Sequence, residues 1–108
     1  MNNFIIEKKE QDIYNIYEQL KDKYDLDLTT TSKLNEGFTI DCPIIVGRLH
    51  GQIIELYVCD GMFVMDVMDS EKTKGTHWHP YEIDEAIKDI VDFMSGKCDY
   101  KMYPFKKN

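Results

Sequence analysis

Apolar residues recur with helical spacing in two stretches of the chain, one toward each end. In the first, from Glu7 to about Tyr24, charged residues fill most of the positions between the apolar ones. The apolar positions are Ile13, Ile16, Tyr17, Leu20 and Tyr24. This pattern predicts an amphipathic helix that packs on a core through one face.

The second helical stretch lies within residues 76–97, THWHPYEIDEAIKDIVDFMSGK. We expect Pro80 in the first turn of this helix, and Gly96 as the left-handed residue just beyond its end. An advance of about 100° per residue gathers the apolar side chains on one arc and the charged ones on the other. The apolar arc consists of Ile83, Ala86, Ile87, Ile90, Val91, Phe93 and Met94.

Residues 38–69 contain short apolar runs, some alternating with polar side chains, that are separated by turn residues, which predicts β-strands. His50-Gly51 is typical of a tight turn, and Asp60-Gly61 is a strong hairpin signal because a type I′ turn needs positive φ at both positions. Pro43 cannot donate to a strand ladder, so it predicts an edge, a bend or a break. Residues 62–68 are apolar on both faces and therefore predict a central or doubly covered strand.

The remaining segments are less regular. Residues 25–37 suit an edge strand or an extended connection that ends in a turn at Asn35-Glu36-Gly37. Residues 69–76 predict a polar loop that leads into the second helix, and three aromatic residues in the tail predict that it packs against the domain. Together, these elements predict a single α+β domain over residues 1–108. Its antiparallel meander of three to five strands is bracketed by an N-terminal and a C-terminal helix packed on the sheet.

The charge of the chain narrows the classes of partner. Twenty acidic residues against 13 basic ones give a net charge of −7. This balance repels nucleic-acid backbones and anionic membranes, so we expect neither as a partner. A basic protein or a metal ion is the electrostatically favoured ligand.

The sequence also indicates the cellular compartment in which we expect the protein. The segment MNNFIIEKKE lacks the basic start and apolar run of a signal peptide, and no apolar stretch has the length of a membrane span. Cys42, Cys59 and Cys98 are odd in number and widely spaced, which does not suit a disulfide framework. We therefore expect a cytoplasmic protein with reduced thiols.

His77-Trp78-His79 is the first candidate site. In an extended segment both imidazoles share one face and the indole takes the other. Two such histidines are able to bind one metal ion, for example zinc, with His50 or a carboxylate as a third ligand. We favour the other interpretation, in which Trp78 packs in the core, both histidines face solvent and no cofactor is bound.

The second candidate is an acidic stripe on the second helix. Glu82, Glu85, Asp89 and Asp92 follow one another at helical spacings of three and four residues, so their carboxylates are surface neighbours. Three interpretations are open: a solvated face, a binding face for a basic protein, or a face paired with the basic tail. The tail carries Lys97, Lys101, Lys106 and Lys107.

No phosphate-binding loop, HExxH motif or nearby Cys–His pair indicates catalysis. The sequence therefore favours a small acidic protein-binding domain without catalytic activity, for example an inhibitor or immunity-type protein for a basic partner. One alternative is a metal-binding protein or metal-dependent enzyme that uses His77 and His79. Another is a domain whose surface charge serves only solubility.

Overall fold

The computed structural model describes residues 8–35, 38–97 and 99–105. These residues form two helices and six strands, which confirms the α+β class. The helices are α1 (Lys8–Leu20) and α2 (Ile83–Met94). The strands are β1 (Leu26–Asn35), β2 (Phe38–Leu49), β3 (Gln52–Cys59), β4 (Met62–Asp69), β5 (Lys74–Trp78) and β6 (Tyr103–Pro104).

The six described strands form one sheet in the order β1-β2-β3-β4-β5-β6, and every neighbouring pair is antiparallel. The predicted meander is therefore confirmed, with more strands than the expected three to five. The segment 25–37 supplies the edge strand β1, although Glu36 and Gly37 of its predicted turn lie outside the described residues. As its apolar faces predicted, β4 is internal to the sheet, between β3 and β5.

Both predicted two-residue turns are present. His50 and Gly51 have φ of 52° and 78°, and Asp60 and Gly61 have φ of 53° and 76°. Positive φ at both central residues is the conformation of a type I′ turn, whose twist matches that of the flanking strands. These turns set the pairing of β2 with β3 and of β3 with β4.

Both helices pack on the same face of the sheet. Ile13 and Ile16 of α1 and Ile90 of α2 are completely buried against residues that alternate along the strands. The strand residues on this face include Ile45, Ile54, Leu56, Phe63, Met65 and Val67. The other face carries a smaller cluster of Val46, Ile53 and Met68.

The end of α2 was predicted more accurately than its beginning. Gly96 has a φ of 69°, and the N–H groups of Gly96 and Lys97 donate to the carbonyls of Phe93 and Asp92. This pair of bonds is a Schellman motif. Pro80, however, is not in the first helical turn, because α2 begins at Ile83. A residue that precedes proline disfavours helical geometry, and the chain remains non-helical through the buried Pro80.

The predicted polar loop at residues 69–76 is wrong in its second half, where β5 begins at Lys74. This strand has little apolar alternation and is held by its pairing with residues 65–68 of β4. Gly75 permits this close approach, since a Cβ at that position would lie 2.7 Å from the carbonyl oxygen of Val67. The tail then adds β6 along β5, and Tyr100 stacks on Trp78. Tyr103 and Phe105 are exposed, so the predicted packing of the tail aromatics is confirmed only in part.

Pro43 neither breaks nor ends a strand. It lies within the continuous β2 and pairs with Thr30 of β1. The pairing of β2 with β3 begins only at Ile45, so the missing N–H of Pro43 costs no bond to β3.

Within the described chain, neither helix has the length and apolarity that a membrane-spanning segment requires. Cys42 is a buried cysteine, and Cys59 is an exposed one with a free thiol. Cys98 lies outside the described residues.

Candidate functional site

The connection from β5 to α2 carries most of the chemically distinctive side chains. His77 lies opposite Asp66 of β4, and Trp78 lies opposite Met65 on the face that the helices cover. The chain then passes through Pro80 to Glu82, whose extended backbone (φ −132°, ψ 167°) forms the N-cap of α2 without a side-chain cap. The alternation of a strand therefore directs His77 and Trp78 to opposite faces, as predicted.

Trp78 is partly buried and joins three elements. Its indole Nε1–H donates a hydrogen bond to Asp89 Oδ2 of α2 at 2.7 Å. Its ring stacks on Tyr100 of the tail, with centroids 5.5 Å apart and an interplanar angle of 11°. This satisfies the one polar group of the indole while its apolar body packs on the core.

The two histidines form an exposed pair. Their ring centroids are 5.7 Å apart with an interplanar angle of 79°. His79 Nδ1 lies 3.1 Å from the carbonyl oxygen of Phe63. Because a carbonyl only accepts, this contact is a hydrogen bond when Nδ1 carries the proton.

The structure brings these histidines together, and the part of the chain that it describes adds no third metal ligand. Among the described residues, no group of three or more His, Cys, Asp or Glu side chains is arranged to hold a metal ion. His50 lies in the turn between β2 and β3, and the carboxylate of Asp66 accepts a hydrogen bond from the Tyr57 hydroxyl at 2.9 Å. The described donors therefore provide two imidazoles, fewer than the three protein ligands of typical zinc sites.

The four residues of the acidic stripe differ in their surroundings: two have partners within the domain and two are exposed. Asp89 accepts the bond from Trp78, and Asp92 pairs with Lys88 at 2.6 Å with only 21% of its side chain exposed. Glu82 and Glu85 are exposed. Two of the four predicted binding residues are thus engaged within the domain, and the solvent-facing part of the stripe is its N-terminal half.

The basic tail does not pair with this stripe through its described residues. The ammonium of Lys101 lies 5.8 Å from the centre of the Tyr103 ring, and Lys97 is exposed just beyond α2. Lys106 and Lys107 lie outside the described residues, so their part of the hypothesis stays a prediction.

A groove of about 440 Å³ lies beside the N-terminus of α2. Tyr81, 78% exposed, and Met62, 47% exposed, are on its rim, and His79 and Glu82 also line it. We refer to Met62, His79, Tyr81, Glu82 and Glu85 as the Tyr81 surface. Met62 and Tyr81 were not among the predicted site residues, although an aromatic residue between Pro80 and three nearby acids was a visible signal.

Lys9 forms the inner wall of this groove. Its ammonium lies 4.5 Å from the centre of the Phe63 ring and 3.5 Å from the carbonyl oxygen of Tyr81. The ring face and the carbonyl oxygen both attract the ammonium. The Lys9 ammonium therefore has two partners within the domain, and the carboxylates of the Tyr81 surface are the exposed Glu82 and Glu85.

A second groove, of about 570 Å³, lies on the face opposite the helices. Asp66, Met68, His77, Tyr103 and Phe105 are among its lining residues.

Burial, together with the hydrogen bond to Asp66, raises the pKa of the Tyr57 hydroxyl far above its ordinary value of 10.0. The phenol is thus a neutral hydrogen-bond donor, and it provides no general base at neutral pH.

Comparison of the chain with protein-family models, with curated proteins and with solved structures found no match.

Proposed function

We propose that this chain is a small acidic protein-binding domain without catalytic activity, and that the Tyr81 surface binds a basic segment of another protein. The observation that carries the proposal is the exposure of Tyr81, a residue that is 78% accessible beside the exposed Glu82 and Glu85. Exposed tyrosines are frequent energetic centres of protein interfaces, and here the ring borders a groove.

The chemistry of this surface suits an arginine or a lysine on the partner. The aliphatic stem would pack on Met62 and Tyr81, and the cationic group would lie over the tyrosine ring. Charge-assisted hydrogen bonds to Glu82 and Glu85 would complete the contact. A net charge of −7 would also speed the encounter with a cationic partner.

An inhibitor or immunity-type protein is the concrete form of this function that we favour. Such a protein covers a cationic site by presenting carboxylates in place of the anionic substrate. The structure refines the sequence hypothesis in one respect. We now assign the contact to Tyr81, Glu82 and Glu85, because Asp89 and Asp92 already have partners in the domain.

The test is an affinity capture with immobilised variants in parallel. The Glu82→Lys/Glu85→Lys variant and the Tyr81→Ala variant should each lose a basic protein that the parent chain retains. The matched control is Asp22→Lys/Glu71→Lys, which changes the net charge equally at two exposed positions elsewhere. Asp22 follows the C-terminus of α1, and Glu71 follows the end of β4 remote from Met62.

The interaction should weaken with added salt, and less steeply for the Glu82→Lys/Glu85→Lys variant than for the parent. Capture of the same protein by the parent and all three variants would contradict the proposal. Equal loss from the control and the Glu82→Lys/Glu85→Lys variant would mean that only the overall charge matters. In that case the Tyr81 surface would not be the binding site.

A further inference from the structure

The outer edge of β1 is separate from the Tyr81 surface, because β1 is the first strand in the order of the sheet. This strand is ten residues long and is first in the order of the sheet. Within the described chain, β2 is its one strand neighbour. All ten residues pair with β2 in continuous register, so no bulge twists this edge away. A long, regular, open edge is a template for pairing with another strand.

The turn at His50-Gly51 determines which backbone groups this edge presents. A two-residue turn is closed by a hydrogen-bonded pair, here Leu49 with Gln52. Hydrogen-bonded and non-hydrogen-bonded pairs alternate along antiparallel strands, so Ile44 and Val46 direct their N–H and C=O groups toward β1.

The partners of Ile44 and Val46 in β1 are Thr29 and Asp27, which therefore bond inward to β2. The residues between and beside them, Leu26, Leu28 and Thr30, direct their N–H and C=O groups outward. The side chains of Thr29 and Thr30 are exposed.

We propose that two copies of this chain associate through β1, antiparallel about a two-fold axis, with Thr30 of one copy opposite Thr30 of the other. Each copy contributes its six described strands to one continuous sheet. This contact is isologous and closes on itself, as expected for a symmetric dimer. The inference does not depend on the proposed function, because it concerns another surface.

Two features together select this register: the direction in which each residue's backbone N–H and C=O groups point, and the charges of the paired side chains. Full overlap would place Leu26 opposite Asn35, an outward residue against an inward one, and the hydrogen bonds would not form. Centring on Thr30 keeps the outward residues opposite one another and places Asp27 opposite Lys33 at two symmetric positions. It also places Leu26 opposite Leu34.

Other registers that keep the outward residues opposite one another lose this charge match. If the partner strand is shifted by two residues in either direction, Asp27 lies opposite Thr31 or Asn35 instead of Lys33. A lysine on an edge strand ordinarily discourages pairing with another chain. In the Thr30-centred register the same strand supplies an acid for each lysine, and opposite charges on directly paired residues stabilise the pair.

The first test is a charge exchange measured by sedimentation equilibrium on the full chain. Asp27→Lys and Lys33→Asp should each weaken the dimer by about tenfold or more, because each creates two like-charge pairs. The Asp27→Lys/Lys33→Asp variant should regain the parent dimer. Asp27 also pairs with Arg48 at 2.9 Å, so Arg48→Met is the matched control and should remain dimeric.

The second test removes a backbone donor. Thr30→Pro eliminates an outward N–H and should give a folded monomer. Thr29→Pro eliminates an inward N–H and should destabilise the fold itself. If Thr30→Pro does not fold, the charge-exchange variants by themselves test whether the chain dimerises through β1. A parent chain that is monomeric at every concentration overturns the proposal, as does a dimer that the double charge exchange fails to restore.

Discussion

Trp78 and Asp89 are joined by a hydrogen bond of 2.7 Å from the indole Nε1–H to a carboxylate oxygen, and this bond ties β5 to α2. Both side chains are partly buried. A carboxylate that the sequence places in a surface stripe is thus part of the structural framework. Its replacement tests the fold, whereas replacement of its neighbour Glu85 tests the surface.

We predict that Asp89→Ala lowers the free energy of unfolding by about 1–3 kcal/mol, because it leaves the indole N–H without its charged acceptor. Glu85→Ala, on the same helix but exposed, should change it by less than about 0.5 kcal/mol. Urea denaturation of both variants measures the difference. Equal costs at the two positions would show that the Trp78 bond contributes nothing to stability.

Gly61 should be sensitive to substitution through its backbone alone. Its φ is 76°, and a Cβ built at this position meets no atom within 4 Å. Gly61→Val should therefore cost about 1–3 kcal/mol through backbone strain without any clash. Gly61→Asn should cost less, since asparagine tolerates positive φ better than valine. Thermal or urea unfolding compares the two, and equal costs would argue against strain as the cause.

Tyr57 should make the domain less stable at high pH. Its pKa is raised in the folded state by burial and by the bond to Asp66, so the unfolded chain loses this proton first. The contribution is fully present below the unfolded pKa of about 10 and is lost as the pH rises toward the folded value.

The measurement is the slope of unfolding free energy against pH above about pH 10. Tyr57→Phe should make this slope shallower than that of the parent, because no phenol remains to titrate at that position. Asp66→Asn removes the charge that faces the phenol and should give an intermediate slope. A parent and Tyr57→Phe with identical slopes would be inconsistent with a raised pKa.

The histidine pair should bind zinc weakly. His77 and His79 offer two imidazoles, and the described residues add no third ligand to them. Isothermal titration with zinc should therefore show no tight equimolar binding to the parent. The His77→Ala/His79→Ala variant should give the same result as the parent. Tight equimolar binding that disappears in this double variant would establish the metal-binding alternative.

The sequence alone was sufficient where a short segment determines its own conformation. The helical period places Ala86, Ile90 and Phe93 on one face of α2, and the structure buries all three. Asp60-Gly61 requires a turn with positive φ, and the strands on either side of it pair as predicted. These features depend on backbone sterics and on periodicity within a few residues.

The sequence failed where a segment is ordered by a distant one. Gly75 and His77 lie in β5 because β4 supplies their hydrogen-bonding partners, and their own side chains carry no strand pattern. Pro80 resembles a helix start locally, yet the chain passes it in a non-helical conformation before α2 begins. Neither partner strand nor packing surface is visible within the segment itself.

The four acids of α2 show the same division within one element. Helical geometry determines by itself that Glu85, Asp89 and Asp92 follow one edge, with Glu82 at the N-cap before them. Only the tertiary structure decides that Asp89 receives the indole of Trp78 while Glu85 remains exposed. Periodicity fixes where a side chain lies on its own helix, but its contacts depend on elements that the fold brings to that helix.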